Sequence, residues 1–292
     1  MRLRRFSQNP IIRPDMDSRL GDNINGPSLI RVPEWIEKPL GRYYLYFAHH
    51  DGRFIRLAYA DDLSGPWQIY GPGVLPLESS HFAGHLASPD VHVDDKARRI
   101  MMYFHGADKP SGVDAGPQYT RLATSADGLR FVANPELLGR PYFRAFQWDG
   151  YTYALAMPGV FYRSRDGASA FEEGPTLFSR NMRHSALKLD GDTLSVFYTD
   201  VGDAPEKILL SKIDLSGDWR GWATSEPITI LEPTEDYEGA DCEPAPSVRG
   251  LVHGRVRQLR DPAIYREGGR TFLLYAVAGE SGIAIGELSE AG

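Results

Sequence analysis

The sequence predicts an all-β protein, a five-bladed β-propeller with four-stranded antiparallel blades, and three observations favour this fold class. One pattern occurs five times in the 292 residues: an inner strand near an x-Pro step, a turn, an aromatic-rich strand and a third short strand. A repeat of roughly 40–50 residues made of short strands is typical of a propeller blade. The last copy ends almost at the C-terminus, before any fourth strand. The copies begin at Asn25, Ser88, Arg140, Met182 and Arg260.

The first two strands of each copy differ in their hydrophobic pattern. The inner strand alternates between apolar and polar residues, as in residues 28–32, and this is the period of a β-strand. A turn with glycine follows, for example Asp149-Gly150 or Asp190-Gly191. The second strand is a nearly continuous apolar run, as expected for a strand packed between two blades. These runs cover residues 43–48, 100–104, 194–198 and 271–277.

The third strands and the chain termini predict how the ring closes. Third strands are predicted over residues 55–60, 120–125, 160–164, 208–213 and 283–287. In the first four copies a segment long enough for an outer fourth strand follows, but the fifth copy has none on its C-terminal side. Residues 3–12 precede the first copy and are expected to supply that strand, which leaves no unpaired sheet edge. All 292 residues then form a single domain.

Composition limits the classes of partner. The net charge of −7 disfavours nucleic acid and anionic membranes, and no apolar run reaches the roughly 18 residues of a membrane span. The basic start is not followed by an apolar segment, and Cys242 is the single cysteine, so we expect a cytoplasmic protein. Aromatic residues make up 11% of the chain; most are expected in the core, but such a content also suits a protein that binds carbohydrate.

Two sets of polar positions are predicted to meet at one mouth of the propeller axis, where inner strands begin and second strands end. Buried polar groups that crowd together need partners or a ligand, so the two sets predict a binding pocket. Two alternatives remain open: an Asp at a strand start often only caps a turn, and His49 with His50 could be a packing pair. The first set is Asn25, Asp90, Arg140 or Arg144, Arg183, His184, Arg260 and Asp261. The second set is His49, His50, His105, Asp200 and Glu280.

A long acidic segment and the axial histidines bear on the site as well. Residues 232–246 are rich in Pro, Glu and Asp and are predicted to form a loop that crosses this face and carries Glu243 to it. Several histidines and carboxylates near one axis are compatible with a structural divalent ion such as calcium. The sequence contains no HExxH, CxxC or EF-hand loop, so we expect no cofactor to be required.

The blade phrases resemble those of a known enzyme family. The phrases SPDVHVDD with MMYFHG, GRYYLYFAHHDG, AYADDLSGPW and RDPAIYREGGRTFLLY resemble the blades of glycoside hydrolase family 43. The opening QNPIIRP with NINGPSLI is similar to the start of the family 130 mannoside phosphorylases. These families, and family 117, are five-bladed propellers that act on glycosides. The resemblance implies a carbohydrate substrate and a general acid and base, with carboxyls about 6.5–9.5 Å apart in an inverting enzyme.

The chain departs from family 43 at the residues that the resemblance would make catalytic. Asn25-Gly26-Pro27 stands where the family has the Asp that acts as general base. Arg140-Pro141 stands where the family has the Asp that modulates the pKa of the general acid. Residues 182–184 stand where the family has the Glu that acts as general acid. Family 117 is understood to use a histidine as the acid, which implies this role for His184. Asp90 and Asp261 remain as the first candidates for the general base, and Glu243 and Glu280 are the second candidates.

Three functions stay open at this point. The first is a glycosidase, exo-acting because a small mouth narrowed by a loop makes a pocket, and arabinofuranosidase-like, xylosidase-like or family 117-like. The second is a phosphorylase, whose clustered arginines would hold phosphate. The third is a non-catalytic glycan-binding propeller. The predicted catalytic residues are Asp90, His184, Asp261 and Glu243. The predicted substrate-binding residues are Asn25, His49, His50, His105, Arg144, Arg183, Asp200, Arg260 and Glu280.

Overall fold

The computed structural model describes residues 1–49, 52–109 and 116–290, and within these ranges the chain forms five antiparallel sheets of four strands. The predicted all-β, five-bladed propeller is therefore confirmed. Helical structure in the described ranges is limited to short 3-10 turns at Pro14–Met16, Leu77–Ser79, Trp219–Gly221 and Asp236–Glu238. None of the helices described is long and apolar enough to cross a membrane.

The first three blades follow one another along the chain, each with its strands in sequence order. Blade one contains β2 (Asn25–Arg31), β3 (Tyr43–Ala48), β4 (Phe54–Ala60) and β5 (Gln68–Pro76), after the N-terminal strand β1 (Arg2–Arg5). Blade two contains β6 (Leu86–Asp94), β7 (Arg99–Ala107), β8 (Gln118–Ser125) and β9 (Val132–Ala133). Blade three contains β10 (Arg144–Trp148), β11 (Tyr151–Ala156), β12 (Val160–Ser164) and β13 (Glu172–Thr176).

The last two blades complete the ring. Blade four contains β14 (Met182–Asp190), β15 (Thr193–Asp200), β16 (Ile208–Asp214) and β17 (Ile228–Leu231). Blade five contains β18 (Arg260–Glu267), β19 (Arg270–Ala276) and β20 (Ile283–Ser289). Its fourth strand is β1, which pairs antiparallel with β20 so that Leu3 lies opposite Leu288. An isolated bridge between Ile12 and Ile283 extends this contact. The predicted closure of the ring by the N-terminal segment is confirmed.

The core lies between neighbouring blades, and this explains the pattern of the second strands. All six residues of β3 are buried, because one face of the strand packs towards blade two and the other towards blade five. Tyr44 and Tyr46 belong to the cluster with Phe104 of β7, whereas Leu45 and Phe47 belong to the cluster with blade five. A strand with two buried faces has no polar alternation, so a continuous apolar run is the expected sequence.

Candidate active site

Each inner strand is preceded or opened by one residue with a left-handed backbone. These residues, one per blade, are Gly26 (φ +60°), Ser88 (+47°), Tyr142 (+69°), His184 (+49°) and Asp261 (+47°). In blades one, two, four and five the pairing register shifts at this point, as it does at a β-bulge. A left-handed backbone is uncommon for residues other than glycine and often marks functional sites. The repeat therefore places five equivalent positions around one mouth of the axis.

Blade one has a glycine at this position for a steric reason. A Cβ on Gly26 would lie 2.9 Å from the Cα of Ser88, closer than such atoms approach. Its positive φ also favours glycine. Blades one and two therefore meet closely at the axis, and the space for a ligand is bordered mainly by the other side chains of the ring.

A cavity of about 240 Å³ opens at this mouth. Pockets for drug-sized ligands usually measure about 300–1,000 Å³, so this one suits a small ligand such as a single sugar ring. All five blades contribute to its wall, and so does the loop between β17 and β18. The polar residues of the wall are Asn25, Ser88, His105, Gln118, Tyr142, Arg183, His184, Arg249 and Asp261.

Asp261, Tyr142 and His184 form a contiguous group on the cavity wall. The Tyr142 hydroxyl donates a hydrogen bond of 2.6 Å to Oδ1 of Asp261, which is only 2% exposed. Nδ1 of His184 lies 3.9 Å from Oδ2 of the same carboxylate. The ring of Tyr142 packs against His184 and His105, with centroid distances of 5.4 and 5.8 Å. A carboxylate, a phenol and two imidazoles thus face one small space.

The environment of Asp261 brings its titration close to neutral pH. Burial is the main cause that raises its pKa to about 6, and the charge of Glu280 adds to this. The hydrogen bond from Tyr142 and the positive charges of Arg144 and Arg260 oppose the rise. A carboxyl with such a pKa is suited to proton transfer near neutral pH.

Arg144 lies beneath Tyr142 rather than in the cavity wall. Its guanidinium carbon is 4.1 Å from the centroid of the Tyr142 ring, within the range of a cation–π contact. Nε donates to the carbonyl oxygen of Ser185 at 2.9 Å, and Nη1 donates to that of Ser88 at 3.2 Å. The side chain therefore joins blades two, three and four under the cavity, whereas the sequence predicts a substrate contact for it.

Arg260 and Glu280 lie behind the wall in a buried ion network with Arg183. Glu206, a residue not predicted from the sequence, accepts from Nε of Arg183 at 2.9 Å and lies 3.3 Å from Nε of Arg260. Nη1 of Arg260 donates to Glu280 at 2.9 Å. All four side chains are at most 3% exposed. Removing one member would leave a buried charge without its counter-charge, so the network is expected to act as a rigid support.

Asn25 joins this network to blade one. Its amide donates to Oδ1 of Asn23 at 2.9 Å and to Glu280 at 3.4 Å. Asn23 also donates to Glu280, and its carbonyl oxygen accepts from Nη1 of Arg56 at 3.0 Å. Asn25 is therefore in the cavity wall and also tied to blade five.

Asp90 lies outside the cavity wall, although the sequence places it in the first rank. It lies two positions beyond Ser88, the mouth residue of blade two, and pairs with Tyr103, whereas Ala87 pairs with His105 at the mouth. Its Oδ2 is 2.7 Å from Nε2 of His92 and 2.8 Å from the backbone nitrogen of Ala145. Burial would raise the pKa of Asp90, but the contacts with His92 and the charge of Arg144 outweigh it and lower the pKa. Asp90 therefore connects blades two and three.

The other predicted residues lie at different distances from the cavity. His49 is outside the wall, with Nε2 4.0 Å from Asp22, and His50 falls outside the described residues. Asp200 is half-buried outside the wall, and burial together with Asp203 and Glu206 raises its pKa to about 6. Glu243 is exposed and does not reach the cavity. The cavity wall includes residues 249–250, which follow the predicted segment, and no residue of 232–246 lines the cavity.

Tyr142 was missed because its blade breaks the sequence pattern. In blades one, two and five the left-handed residue precedes a proline, as in Gly26-Pro27 and Asp261-Pro262. In blade three the proline comes first, in Pro141-Tyr142. An alignment on proline therefore points to Arg140, the residue before Pro141. The left-handed residue is Tyr142, and β10 and β11 pair without the register shift that marks this position in the other four blades.

Two further observations concern metal-binding groups and a second cavity. Among the residues that the structure describes, no three His, Cys, Asp or Glu side chains are grouped so that they could hold a metal ion. A larger cavity of about 500 Å³ lies on the outside of the ring, but Arg4 and Arg270 there are paired with Glu287. The axial cavity is the better candidate because its carboxylate is buried and close to a histidine.

The amino-acid sequence is similar to that of a mimivirus protein. It is 35% identical over 317 aligned residues to the uncharacterized protein R118 of Acanthamoeba polyphaga mimivirus. The alignment covers 96% of this chain and 88% of that protein. No protein-family model matches the sequence.

The fold is similar to those of solved family 43 glycoside hydrolases. CoXyl43, a family 43 β-xylosidase/α-arabinofuranosidase from a compost microbial metagenome, solved with xylotriose, has a TM-score of 0.64 at 14% identity, over 99% of this chain and 96% of that chain. The α-L-arabinofuranosidase from Lactobacillus brevis has a TM-score of 0.62 at 9% identity, over 97% and 93%. The chain therefore belongs to the same family as the mimivirus protein R118, and it has the five-bladed propeller fold of the family 43 glycoside hydrolases.

Proposed function

We propose that the protein is an exo-acting glycosidase that cleaves a small glycoside in the axial cavity. The observation that carries the proposal is Asp261, a buried carboxylate in the cavity wall whose pKa is raised to about 6 and which contacts Tyr142 and His184. Enzymes of the same fold are named as β-xylosidases and α-arabinofuranosidases, which makes these glycosides the first substrates to test. No cofactor takes part in the proposed reaction.

The proposed chemistry needs one base and one acid. Asp261 accepts a proton from a water molecule as that water attacks the anomeric carbon. The bond between the anomeric carbon and the leaving oxygen breaks, and the leaving oxygen takes a proton from His184. Histidine has an unperturbed pKa of about 6.5, so it donates a proton near neutral pH without special tuning.

The two groups lie closer together than the roughly 6.5–9.5 Å between the carboxyls of an inverting glycosidase, so the proposed acid has to act through the imidazole nitrogen farther from Asp261. The 3.9 Å contact joins Nδ1 of His184 to Oδ2 of Asp261. The proton for the leaving oxygen would come from Nε2, on the opposite edge of the imidazole.

The cavity favours exo action. Its volume of about 240 Å³ has room for one ring, and Arg249 and Gly250 of the loop between β17 and β18 close one side. An endo-acting enzyme needs an open cleft that accommodates rings on both sides of the cleaved bond. The protein is therefore expected to release single sugars from an end.

A screen of aryl glycosides and short oligosaccharides, with and without inorganic phosphate, tests the proposal. We expect cleavage without phosphate, and we expect Asp261→Asn to lower its rate by about 10²–10⁴-fold. The control is Asp192→Asn, an exposed residue in the turn between β14 and β15, which should retain full activity. Cleavage that requires phosphate would identify a phosphorylase instead. Binding of glycans without cleavage in either buffer would identify a non-catalytic propeller.

A further inference from the structure

The loop between β17 and β18 is held at two carbonyl oxygens that flank one arginine. Nη1 of Arg183 donates to the carbonyl oxygen of Val248 at 3.2 Å, and Nη1 of Arg260 donates to that of Gly250 at 3.2 Å. Both arginines belong to the buried ion network, so their positions are fixed by Glu206. The backbone on either side of Arg249 is thereby fixed to blades four and five.

The loop is also tied to the adjacent hairpin of blade four. The backbone nitrogen of Ser247 donates to the carbonyl oxygen of Asp203 at 3.0 Å, and the nitrogen of Gly202 donates to that of Ser247 at 3.1 Å. Gly250 has φ +100°, a conformation that glycine adopts most readily. A surface loop with these contacts presents its side chains in defined positions.

Arg249 is the side chain presented at the mouth of the cavity. It lines the cavity and is exposed, and its Nη2 donates to the carbonyl oxygen of Arg180 at 2.8 Å. Within the described part of the chain, no carboxylate lies within ion-pair distance of Arg249. Its guanidinium is therefore anchored by one hydrogen bond while its remaining N–H groups are available to a ligand.

The nearby carboxylates do not neutralise this charge. Glu206 is matched by Arg183 and Arg260, and Glu280 is matched by Arg260. Asp261 is the carboxylate of the cavity wall, and it accepts a hydrogen bond from Tyr142. An exposed arginine is most often simply solvated. The backbone carbonyls on both sides of Arg249, however, are hydrogen-bonded to buried arginines, and the residue lies at the mouth of a cavity that suits a small ligand.

We infer that Arg249 binds an oxyanion at the mouth, carried either by the sugar itself or by a separate phosphate. The inference rests on the proposed function, because it names the chemical class of that substrate. A guanidinium binds a carboxylate, sulfate or phosphate through two parallel hydrogen bonds, which a neutral hydroxyl cannot match in strength. One source of the anion is a carboxylate or sulfate group of the glycoside, which would lie at the mouth while the sugar ring occupies the cavity. The other source is inorganic phosphate bound beside a neutral sugar.

Isothermal titration calorimetry on the intact protein distinguishes these sources. The probes are glucuronate, glucose as its neutral counterpart, and inorganic phosphate, each at low and high salt. We expect an anionic probe to bind, and Arg249→Ala to weaken it by about 10- to 100-fold, as for the loss of charge-assisted hydrogen bonds. Arg249→Lys should weaken it less, because it keeps the charge but loses the paired geometry. Arg165→Ala is the control, since Arg165 is also exposed but stacks on Tyr151 in blade three.

Each outcome separates this inference from the proposed function. Binding of glucuronate through Arg249 supports an acidic glycoside, and binding of phosphate through Arg249 supports phosphate as the anion. Cleavage of neutral glycosides with no anion binding, or with Arg249→Ala fully active, would overturn the inference and leave the glycosidase proposal standing. Anion binding through Arg249 without cleavage of any glycoside would support the inference and contradict the glycosidase proposal.

Discussion

Asp90 and Asp261 are two aspartates near the starts of inner strands, and the fold gives them opposite properties. Asp261 occupies the left-handed position of blade five and lines the cavity, and its pKa is raised to about 6. Asp90 lies two positions further along its strand, contacts His92 and Ala145, and its pKa is lowered. Both side chains are largely buried. Burial therefore does not distinguish the two residues; their position relative to the bulge does.

The comparison shows that residues facing the cavity and residues that hold neighbouring blades together occupy different positions of the inner strand. A left-handed residue at the mouth faces the cavity, where Asp261 contacts Tyr142 and His184. A residue beyond the bulge faces the neighbouring blade, where Asp90 joins blades two and three. The first environment favours the neutral carboxyl and the second favours the carboxylate. The first is suited to proton transfer and the second to cohesion between blades.

The largest expected effect separates the two aspartates by activity. Asp261→Asn removes the proposed base and should lower kcat by about 10²–10⁴-fold, the usual contribution of general acid–base catalysis. Asp90→Asn should keep activity within several-fold of the parent, because Asp90 does not reach the cavity. Steady-state kinetics on one aryl glycoside measures both. Equal losses in the two variants would remove the distinction on which the proposed mechanism rests.

The second prediction concerns the proposed acid next to Asp261. His184→Ala should lower turnover of an oligosaccharide by about 10²-fold or more, because its leaving oxygen needs a proton. The defect should shrink on an aryl glycoside with a good leaving group, which needs little protonation. Kinetics on the two substrate types measures this difference. Oligosaccharide turnover within a few-fold of the parent would show that His184 is not the acid.

The third prediction concerns the free energy of unfolding, in which the two aspartates should act with opposite signs. The pKa of Asp261 is about 6 in the folded state against 3.8 in the unfolded state, so the folded state binds more protons between these values and stability falls as pH rises through them. Asp261→Asn should therefore stabilise the protein at pH 7, on the order of 2–3 kcal/mol. For Asp90 the folded pKa lies below 3.8, so its contribution is present above that pH and lost as pH falls. Asp90→Asn should lower stability at pH 7.

Thermal unfolding of both variants at pH 4 and pH 7 tests these signs. We expect Tm to rise for Asp261→Asn at pH 7 by several degrees and the difference to vanish near pH 4. We expect Tm to fall for Asp90→Asn at pH 7. A fall for both variants at pH 7 would show that Asp261 is stabilised as a carboxylate in the fold, against the raised pKa.

The fold could be predicted from the sequence because each blade has the same pattern of buried and exposed strand faces. Second strands buried on both faces require continuous apolar runs, and those at residues 43–48 and 271–277 fall within one residue of β3 and β19. The missing outer strand of blade five required an external partner, and Leu3 opposite Leu288 supplies it. These features depend on local pattern and strand count, both of which are visible in a single sequence.

The site was predictable only in part, because its geometry depends on single-residue offsets and on distant segments. Asn25, His105 and His184 could be placed at the mouth from strand order. The two-residue offset that moves Asp90 out of the cavity depends on where the bulge of blade two lies, and the left-handed Tyr142 of blade three precedes its inner strand without a bulge. Arg249 comes from a loop whose path is set by contacts with Arg183 and Arg260 far along the chain.

The last prediction concerns the hydrogen bond that sets Asp261 apart from Asp90. The Tyr142 hydroxyl stabilises the charged form of Asp261, so Tyr142→Phe should raise the pKa of Asp261 above its value of about 6. The rate should rise with pH through the pKa of the base, so the acidic limb of the kcat/KM profile should move to higher pH. The ring of Phe keeps the packing against His184 and Arg144. Activity at pH 7 should then fall several-fold and recover at higher pH. Tyr103→Phe is the matched control, since this buried hydroxyl donates to Gly167 away from the cavity and should leave the profile unchanged. A profile of Tyr142→Phe that coincides with the parent would mean that Asp261 does not govern the acidic limb, and the base would then have to be sought elsewhere in the cavity wall.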